Sequence, residues 1–487
     1  MARNLPRGLD RRQFLGGIAA SVSAAILAAC GGSDSGTGAA TAPKPTSGAA
    51  STTAPAPATM ATTAPAPATT GAAMATSAPA QAAGGKKKTV LFWGRQQFLP
   101  ESNDYLTESV KLAGMKGGFD TKVELFSNDE HAQKEVVAME SGIVPDITYT
   151  YSPALWNQNG YAMDVQPLYD DIGKTGGGWI DLADGNSKAD GKRIAVPMNS
   201  EPWFLHLRRD VFEDAGYKMP LTSWDQMMEA FKKVNKPDKN FYAFDGQFTE
   251  ADFDGNCLQF MWAFGGKVFD KEGNPTINTP QNLAGLTAYA DMFKNKLVPP
   301  SVVQQGSSGN NEAWLSRQTA AVSNPGSIVL AMRKDDKDLL SKTYLQAYPS
   351  QANPGKYVQT GGSATLVINK KSQAIDESMQ IAKMIMSPER YPTQLEKAGS
   401  YWFSIMKTYT TIPFFTNDIY NKQVSENIVP WMLPGFADGG QSPIYSDITI
   451  SANKDMLQAV SVGGKTPQEA LKGWADAADK AKAKFKK

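Results

Sequence analysis

Histidine, cysteine and excess charge are all scarce in this chain of 487 residues. Its two histidines, His131 and His206, argue against a histidine-rich metal site or a histidine-based catalytic triad. Two cysteines are too few to staple a chain of this length. The 49 Lys and Arg nearly balance the 48 Asp and Glu, which leaves no excess of cations for a phosphate backbone. We therefore expect no bound metal, no cofactor and no nucleic-acid partner.

Apolar side chains, by contrast, are plentiful. Hydrophobic residues make up 41% of the chain, and 10 of its residues are tryptophan. At about 100–200 residues per domain, the length suffices for two or three separate cores. The composition therefore excludes a chain that is disordered throughout.

The first 30 residues are typical of an export signal. Arg3 and Arg7 form a basic start, and Arg11–Leu15 resembles the twin-arginine signal. The uncharged run Gly16–Ala29 is shorter than the roughly 20 residues that span a membrane.

That run ends in Leu27–Gly31, which resembles the lipobox of bacterial lipoproteins. The resemblance implies that Cys30 is lipidated and anchors the chain to the cell membrane. An ordinary cleaved signal with an incidental cysteine is the alternative. With Cys30 modified, Cys257 has no disulfide partner and is expected to be a buried, inert thiol.

Residues 31–87 are expected to be a disordered tether. They consist almost entirely of Ala, Thr, Pro, Gly and Ser, and the segment Thr52–Thr59 is repeated at Thr62–Thr69. Such a segment has nothing large to bury and cannot offset the entropy lost on ordering.

From residue 88 onward the pattern predicts α/β structure. Strand-like runs at 89–93, 123–126 and 145–149 alternate with segments of helical periodicity, as expected for a parallel sheet. Ligands collect at the carboxyl ends of such strands. The candidate residues at those ends are Trp93, Arg95, Tyr149 and Tyr151.

Helix starts are recognisable further along the chain. Ser223 with Gln226 and Thr466 with Glu469 have the spacing of capping boxes. The helices that follow have apolar stripes that include Trp224 and Trp474, which we therefore assign to the core.

Five segments, taken in order, resemble family 1 extracellular solute-binding proteins of ABC importers, the group that includes maltose-binding protein. These segments are 196–225, 265–280, 320–327, 361–389 and 466–471. The resemblance implies an α/β, two-lobe periplasmic-binding-protein-like fold with a hinge between the lobes. It places lobe 1 at residues 88–199 and 351–400, and lobe 2 at residues 200–350 and 401–487.

The same resemblance implies a function in binding and no catalysis. The chain is expected to be a monomeric, extracytoplasmic, lipid-anchored protein that binds a mono- or disaccharide or a polyol between its lobes and delivers it to an ABC permease. Thr150, Pro153 and Ile328 depart from the positions that hold maltodextrins in maltose-binding protein, which argues against that ligand.

A sugar pocket needs flat aromatic rings for the apolar sugar faces and planar polar side chains for the hydroxyls. Besides the four strand-end residues, Glu201 matches the hinge acid of the family. The complete set of candidate ligand-binding residues is Trp93, Arg95, Tyr149, Tyr151, Glu201, Trp203, Asp245, Trp262, Trp314, Tyr401 and Trp402.

Two other functions stay open from the sequence. The same fold, with aromatic rings around an acid, suits an amine or polyamine, and Arg95 or Arg317 suits an anionic solute. A secreted carbohydrate-active enzyme would need two carboxyl groups about 5–10 Å apart.

Overall fold

A computed structural model describes residues 87–181, 187–189, 191–249, 252–270, 272–306, 308–430, 432–433 and 442–485. The predicted signal and tether, and the lipidation predicted at Cys30, lie outside the described residues. The described part has the α/β architecture that the sequence predicts.

Short strands alternate with helices along the chain. The strands are β1 (Thr89–Arg95), β2 (Asp120–Phe126), β3 (Ile147–Thr150), β4 (Lys188–Ala189), β5 (Lys192–Arg193), β6 (Val196–Pro197), β7 (Glu201–Pro202), β8 (Phe204–Arg208), β9 (Ala321–Asn324), β10 (Thr343–Gln346), β11 (Tyr348–Pro349), β12 (Tyr357–Val358), β13 (Gly361–Gly362) and β14 (Thr365–Ile368).

The helices separate and follow these strands. They are α1 (Pro100–Gly117), α2 (Asn128–Ser141), α3 (Pro153–Gln158), α4 (Gln166–Thr175), α5 (Arg209–Asp214), α6 (Trp224–Val234), α7 (Cys257–Ala263), α8 (Pro280–Lys294), α9 (Gly309–Leu315), α10 (Ser327–Asp335), α11 (Lys337–Lys342), α12 (Ile375–Ile385), α13 (Tyr391–Lys397), α14 (Pro413–Thr416), α15 (Ile419–Asn427), α16 (Pro443–Ser451), α17 (Asn453–Ser461) and α18 (Pro467–Phe485).

A five-stranded sheet has the strand order β2-β1-β3-β14-β6. Strands β1, β2 and β3 are parallel, and β14 runs antiparallel to both β3 and β6. The carboxyl ends of β1 and β3 therefore lie at the same edge. Because Thr365 at the start of β14 pairs with both Thr150 and Pro197, strand β6 also leaves the sheet at that edge.

A three-stranded antiparallel sheet has the order β10-β8-β9. Phe204 at the start of β8 pairs with Asn324 at the end of β9. The carboxyl end of β9 consequently lies beside the point where the chain enters this sheet.

Crossing segments connect the two sheets. The chain passes from β6 through β7 to β8, and it returns from β10 through β13 to β14. The crossings pair with each other where Glu201 and Pro202 of β7 lie opposite Gly362 and Gly361 of β13. A third segment joins them through the bridge between Ser200 and Phe403.

The predicted helix starts are confirmed with one difference. Thr466 and Glu469 form the full capping box. Ser223 caps α6 by accepting from the Gln226 amide, but the Gln226 side chain accepts from the Thr222 amide, one residue before the predicted partner.

Two large hydrophobic clusters form the cores. One includes side chains of the five-stranded sheet, such as Phe92 and Ile147, and the other includes side chains of α7 and α8, such as Phe260 and Tyr289. Trp224, Trp474 and Cys257 are buried in the second cluster, as predicted. The numbered lobe boundaries stay a prediction. Among the described helices, none combines the length and apolar character needed to cross a membrane.

Gly326, between β9 and α10, lies directly against the backbone of the segment that carries Tyr401. A Cβ atom placed on Gly326 would lie 1.7 Å from the carbonyl oxygen of Ser400. Since the obstacle is backbone, a rotamer change cannot relieve the clash. Glycine at this position therefore lets the end of β9 approach residues 400–401.

We expect Gly326→Ala to lower the free energy of unfolding by about 1–3 kcal/mol, because the added methyl group overpacks this contact. Denaturant titration measures the change. Gly473→Ala is the matched control, since a Cβ at this exposed position in α18 meets nothing within 4 Å. The control should raise stability by up to ~1 kcal/mol. Equal effects of the two substitutions would contradict the proposed packing role.

Candidate functional site

Five predicted site residues meet where the first crossing leaves the five-stranded sheet. We call Arg95, Tyr149, Tyr151, Glu201 and Tyr401 the junction cluster. Arg95 ends β1, the tyrosines at 149 and 151 lie at the end of β3, and Glu201 opens β7. Tyr401 belongs to the 3-10 helix Gly399–Tyr401. The shared carboxyl edge of β1, β3 and β6 explains why residues from three strands converge here.

Arg95 is the central cation of this cluster. Its Nη2 donates to the Tyr401 hydroxyl at 3.2 Å, and its guanidinium lies 4.8 Å from the centre of the Tyr151 ring. Burial lowers the pKa of Arg95, but the neighbouring phenols and Glu201 outweigh burial and raise it. Arg95 Nε is buried without a hydrogen-bond partner among the described residues.

Glu201 is the buried anion of the cluster, with 3% of its surface exposed. It accepts hydrogen bonds from the Tyr151 hydroxyl and, at 2.7 Å, from Asn199 Nδ2. The Asn199 Oδ1 atom accepts from the Ala364 amide, so an amide side chain ties Glu201 to the second crossing. Burial raises the pKa of Glu201, although Arg95 and the hydrogen bonds act in the opposite direction.

Tyr149 is a member of the cluster that lies within the five-stranded sheet, in β3. Its hydroxyl lies 3.0 Å from the Tyr151 hydroxyl and accepts from Gln97 Nε2. Trp402 packs edge-on against the Tyr149 ring, with centroids 5.8 Å apart. Trp402 is fully buried, and its Nε1 donor has no hydrogen-bond partner within the described residues.

Phe98 is an aromatic residue at the rim of the cluster, and 54% of its surface is exposed. Its ring packs edge-on against Tyr401 at 4.9 Å, and the Arg95 guanidinium lies 5.8 Å from its centre. An exposed ring fixed by a tyrosine and an arginine offers a flat apolar face beside polar groups.

Acidic and amide side chains surround the end of β9 on the other side of the crossings. Asp245 is joined to Val322 by a parallel bridge and accepts from Gln305 Nε2 at 2.9 Å. Asp252 accepts from Asn310 Nδ2 at 2.9 Å. Burial raises the pKa of Asp245 to about 6 and that of Asp252 to about 7. Arg95 opposes the shift at Asp252, so the two groups interact electrostatically.

Trp203 lies between the crossings and the loop at residues 252–255. Its ring covers Gly255 so closely that a Cβ there would lie 2.0 Å from Trp203 Cε3. The Trp203 amide donates to the Thr360 carbonyl, which fixes the ring relative to the second crossing. Trp203 is partly exposed and remains a candidate contact.

Six of the eleven predicted residues lie outside the junction cluster. Trp203, Asp245 and Trp402 lie near it, as described above, and the other three lie elsewhere. Trp93 Nε1 donates to Glu124 at 2.8 Å, toward β2. Trp262 and Trp314 are buried in the two hydrophobic clusters, and Trp314 Nε1 lies 3.3 Å from the Met332 sulfur. We therefore leave these three tryptophans out of the proposed site.

The sequence analysis missed one aromatic and five polar residues at the site. The missed residues are Gln97, Phe98, Asn199, Asp252, Gln305 and Asn310. Gln97 and Phe98 lie two and three residues after the end of β1, and Asn199 precedes the predicted Glu201 by two positions. These three therefore lie within three residues of a strand end. Asp252 and Gln305 lie in irregular segments and Asn310 in the short helix α9, where no recognisable pattern marks a site residue.

The chemistry of this arrangement suits binding of a hydroxylated molecule. It combines aromatic rings with charged and amide groups where the crossing segments connect the two sheets. In the described part of the chain, no group of three or more His, Cys, Asp or Glu side chains is placed to hold a metal ion.

Comparison with protein families gives a match over residues 100–390 to the model described as bacterial extracellular solute-binding protein. A relative from Deinococcus radiodurans, named a probable ABC transporter-binding protein, is 24% identical over 285 residues. That alignment covers 54% of this chain and 66% of the relative, just under two thirds of its length.

Solved structures with the same fold cover most of the chain. An ABC transporter solute-binding protein from Thermotoga lettingae, bound to α-D-tagatose, has a TM-score of 0.65 at 21% identity. It matches 81% of this chain and all of that structure. A sugar transporter protein from Arthrobacter chlorophenolicus with bound laminaribiose has a TM-score of 0.69 at 17% identity, covering 80% and 99%. These likenesses establish the two-lobe fold.

Glu135 on α2 is hydrogen-bonded to the end of β3. It is buried and accepts hydrogen bonds from Thr150 Oγ1 at 3.0 Å and Trp156 Nε1 at 2.9 Å. Burial raises the pKa of Glu135 to about 7, although these hydrogen bonds lower it.

Because the folded-state pKa of Glu135 is raised, its contribution lowers stability as pH rises from about 4.5 to about 7. Glu135→Gln removes this dependence. We expect the stability of the variant relative to wild type to increase by about 3 kcal/mol across that window. Denaturant titrations over a pH series measure the difference, and Glu140→Gln at an exposed position of α2 is the control. A pH-independent difference for Glu135→Gln would contradict the raised pKa.

Proposed function

Because the chain belongs to the bacterial extracellular solute-binding protein family, we propose that it is the extracytoplasmic solute-binding component of an ABC importer. The proposed ligand is a small carbohydrate or polyol, held between the two lobes. The relative from Deinococcus radiodurans, with its transporter-related name, supports this role. The tagatose and laminaribiose bound by the two solved structures support the ligand class.

The junction cluster is the main structural support for this proposal. Arg95, Tyr151 and Tyr401 come from separate parts of the chain and converge beside the crossing strands. Burying charged and phenolic groups in this way is unfavourable for the stability of the fold, so stability by itself does not explain why these residues converge. Binding sites, in contrast, require preplaced polar groups next to flat rings.

Unpaired donors in the cluster and in the adjacent Trp402 suit sugar hydroxyls. Arg95 Nε and Trp402 Nε1 are buried donors without partners in the described structure, and a buried unpaired donor is unfavourable. A hydroxyl oxygen of the ligand accepts hydrogen bonds from such groups. The rings of Phe98 and Tyr151 provide faces for the apolar C–H groups of the ligand.

Closure of the lobes would bring Asp252 and Asn310 toward Arg95 over the bound solute. The permease then recognises the closed form, which the ligand selects by binding both lobes at once. We further propose that the chain is monomeric and that lipidated Cys30 holds it at the cell membrane.

A secreted carbohydrate-active enzyme remains the second candidate from a different class. Family membership favours binding without turnover. Incubation with oligosaccharides distinguishes the two: saturable binding with no released product supports the importer component, and product formation supports the enzyme.

We expect Glu201→Gln to weaken ligand binding at least tenfold, equivalent to about 1.4 kcal/mol, because the Arg95 side of the site loses its charged acceptor. Binding is measured by tryptophan fluorescence and calorimetry in a screen of sugars and polyols. Glu396→Gln, at an exposed position of α13, is the control. Unchanged affinity in a folded Glu201→Gln protein would remove this residue from the site.

Phe98→Ala should reduce affinity about tenfold with little change in thermal stability, because the ring is exposed and contributes mainly a face for the ligand. Ile143→Ala is a control of similar character, since Ile143 is 78% exposed and follows α2. A loss of affinity in both variants would point to a general effect on the fold.

A further inference from the structure

Three carboxylates on the second side of the site form what we call the acidic wall: Asp245, Asp252 and Asp254. They lie at the carboxyl end of β9. Asp245 is bridged to Val322, and Asn310 Nδ2 contacts both Asp252 and, at 3.4 Å, the Ser323 carbonyl.

The loop that carries Asp254 is attached to the same strand. The Ser323 hydroxyl donates to the carbonyl of Gly255, the residue next to Asp254. Asp254 itself accepts from the Tyr445 hydroxyl. The carboxylates are close enough that Asp245 and Asp254 both raise the pKa of Asp252.

The hydrogen-bond partners of the acidic wall are neutral. They are Gln305, Asn310 and Tyr445. Among the described residues, no lysine or arginine forms an ion pair with any of these three carboxylates. Arg95 is the cation that acts on Asp252 from across the gap, and Arg95 already interacts with Glu201. Arg95 thus acts on two carboxyl groups, Glu201 and Asp252, and Asp245 and Asp254 have neutral hydrogen-bond partners.

The acidic wall also contains buried hydrogen-bond acceptors that have no partner among the described residues. Asp245 is fully buried, and its Oδ1 atom has no hydrogen-bond partner in the described part of the chain. The side-chain oxygens of Gln247 and Gln305 are buried and unpaired in the same way. The junction-cluster side has unpaired donors at Arg95 and Trp402 together with the unpaired side-chain oxygen of Gln97, whereas the unpaired atoms at the acidic wall are all acceptors.

A neutral polyol satisfies only part of this arrangement. Its hydroxyls can donate to the oxygens, but they bring no positive charge to offset the negative charge of the acidic wall. A metal ion is a poor occupant, because no three of the described acidic, histidine or cysteine side chains are placed around one point. A protonated amine provides three donors, no acceptor and one positive charge.

Building on the proposed function, we propose that the ligand is a hydroxylated solute that carries a protonated amino group, such as an amino sugar or an amino polyol. Its amino group faces the acidic wall, and its hydroxyls face the junction cluster. The ligand class then follows from the charge difference between the two sides of one cleft.

Matched ligand pairs test this inference on the purified protein. Each pair differs only in whether a hydroxyl or an amino group occupies one position: glucose and glucosamine, galactose and galactosamine, sorbitol and glucamine. Calorimetry and thermal shift measure binding at neutral pH and low salt, and again at high salt. We expect at least one amine to bind tenfold more tightly than its neutral partner and to lose this advantage at high salt.

The Asp252→Asn variant tests whether the acidic wall causes the preference for the amine. Asn tolerates the left-handed backbone of Asp252, whose φ is 53°, so the variant should fold. It should abolish the tenfold preference, because binding of the amine should weaken more than binding of its neutral partner. Asp238→Asn, at an exposed position of the same part of the chain, should change neither.

Different results of these binding experiments contradict the amine inference and the proposed function. Equal or tighter binding of the neutral partners overturns the amine inference and leaves the importer role intact. An amine preference that persists in Asp252→Asn overturns the role of the acidic wall. Failure of every pair to bind, in protein that is folded, overturns the proposed ligand class and the inference together.

Discussion

The contact between Arg95 and its phenolic and carboxylate neighbours is the constraint on which the site depends. Arg95 ends a strand of one sheet, Glu201 opens the crossing to the other, and Tyr401 belongs to a third segment. Burying these groups is unfavourable unless each is paired. Tyr151 and Asn199 pair with Glu201, and Tyr401 pairs with Arg95. The partners of one buried charge thereby fix the relative positions of the strand ends and the crossing.

The two sides of the proposed cleft have different characters because different elements supply them. Parallel strands deliver Arg95 and the tyrosines at one edge, where rings surround a single cation. A turn-rich segment delivers Asp252 and Asp254 to the end of β9, where amide groups surround the acids. The electrostatic difference between the sides is thus a consequence of topology, and it gives the proposed solute an orientation.

The part of the site that follows from strand ends could be predicted from the sequence. Arg95, Tyr149 and Tyr151 were found because an alternating pattern locates the carboxyl edge, and Glu201 was found through the family resemblance. Trp262 and Trp314 show the limit of this reasoning, since their residue type suits a sugar site but their helices turn them into the cores. Asp252 and Asn310 could not be found, because no periodicity specifies how the irregular segment around Asp252 folds or which residue of the short helix α9 contacts it.

The pairing between β7 and β13 covers only two residues on each strand. Such a short ladder resists bending weakly, since few backbone hydrogen bonds restrain it. Further restraint comes from the hydrogen bond between the Trp203 amide and the Thr360 carbonyl and from the side chain of Asn199, which spans Glu201 and the amide of Ala364. A substitution at Asn199 would therefore alter the stiffness of the connection without altering either sheet.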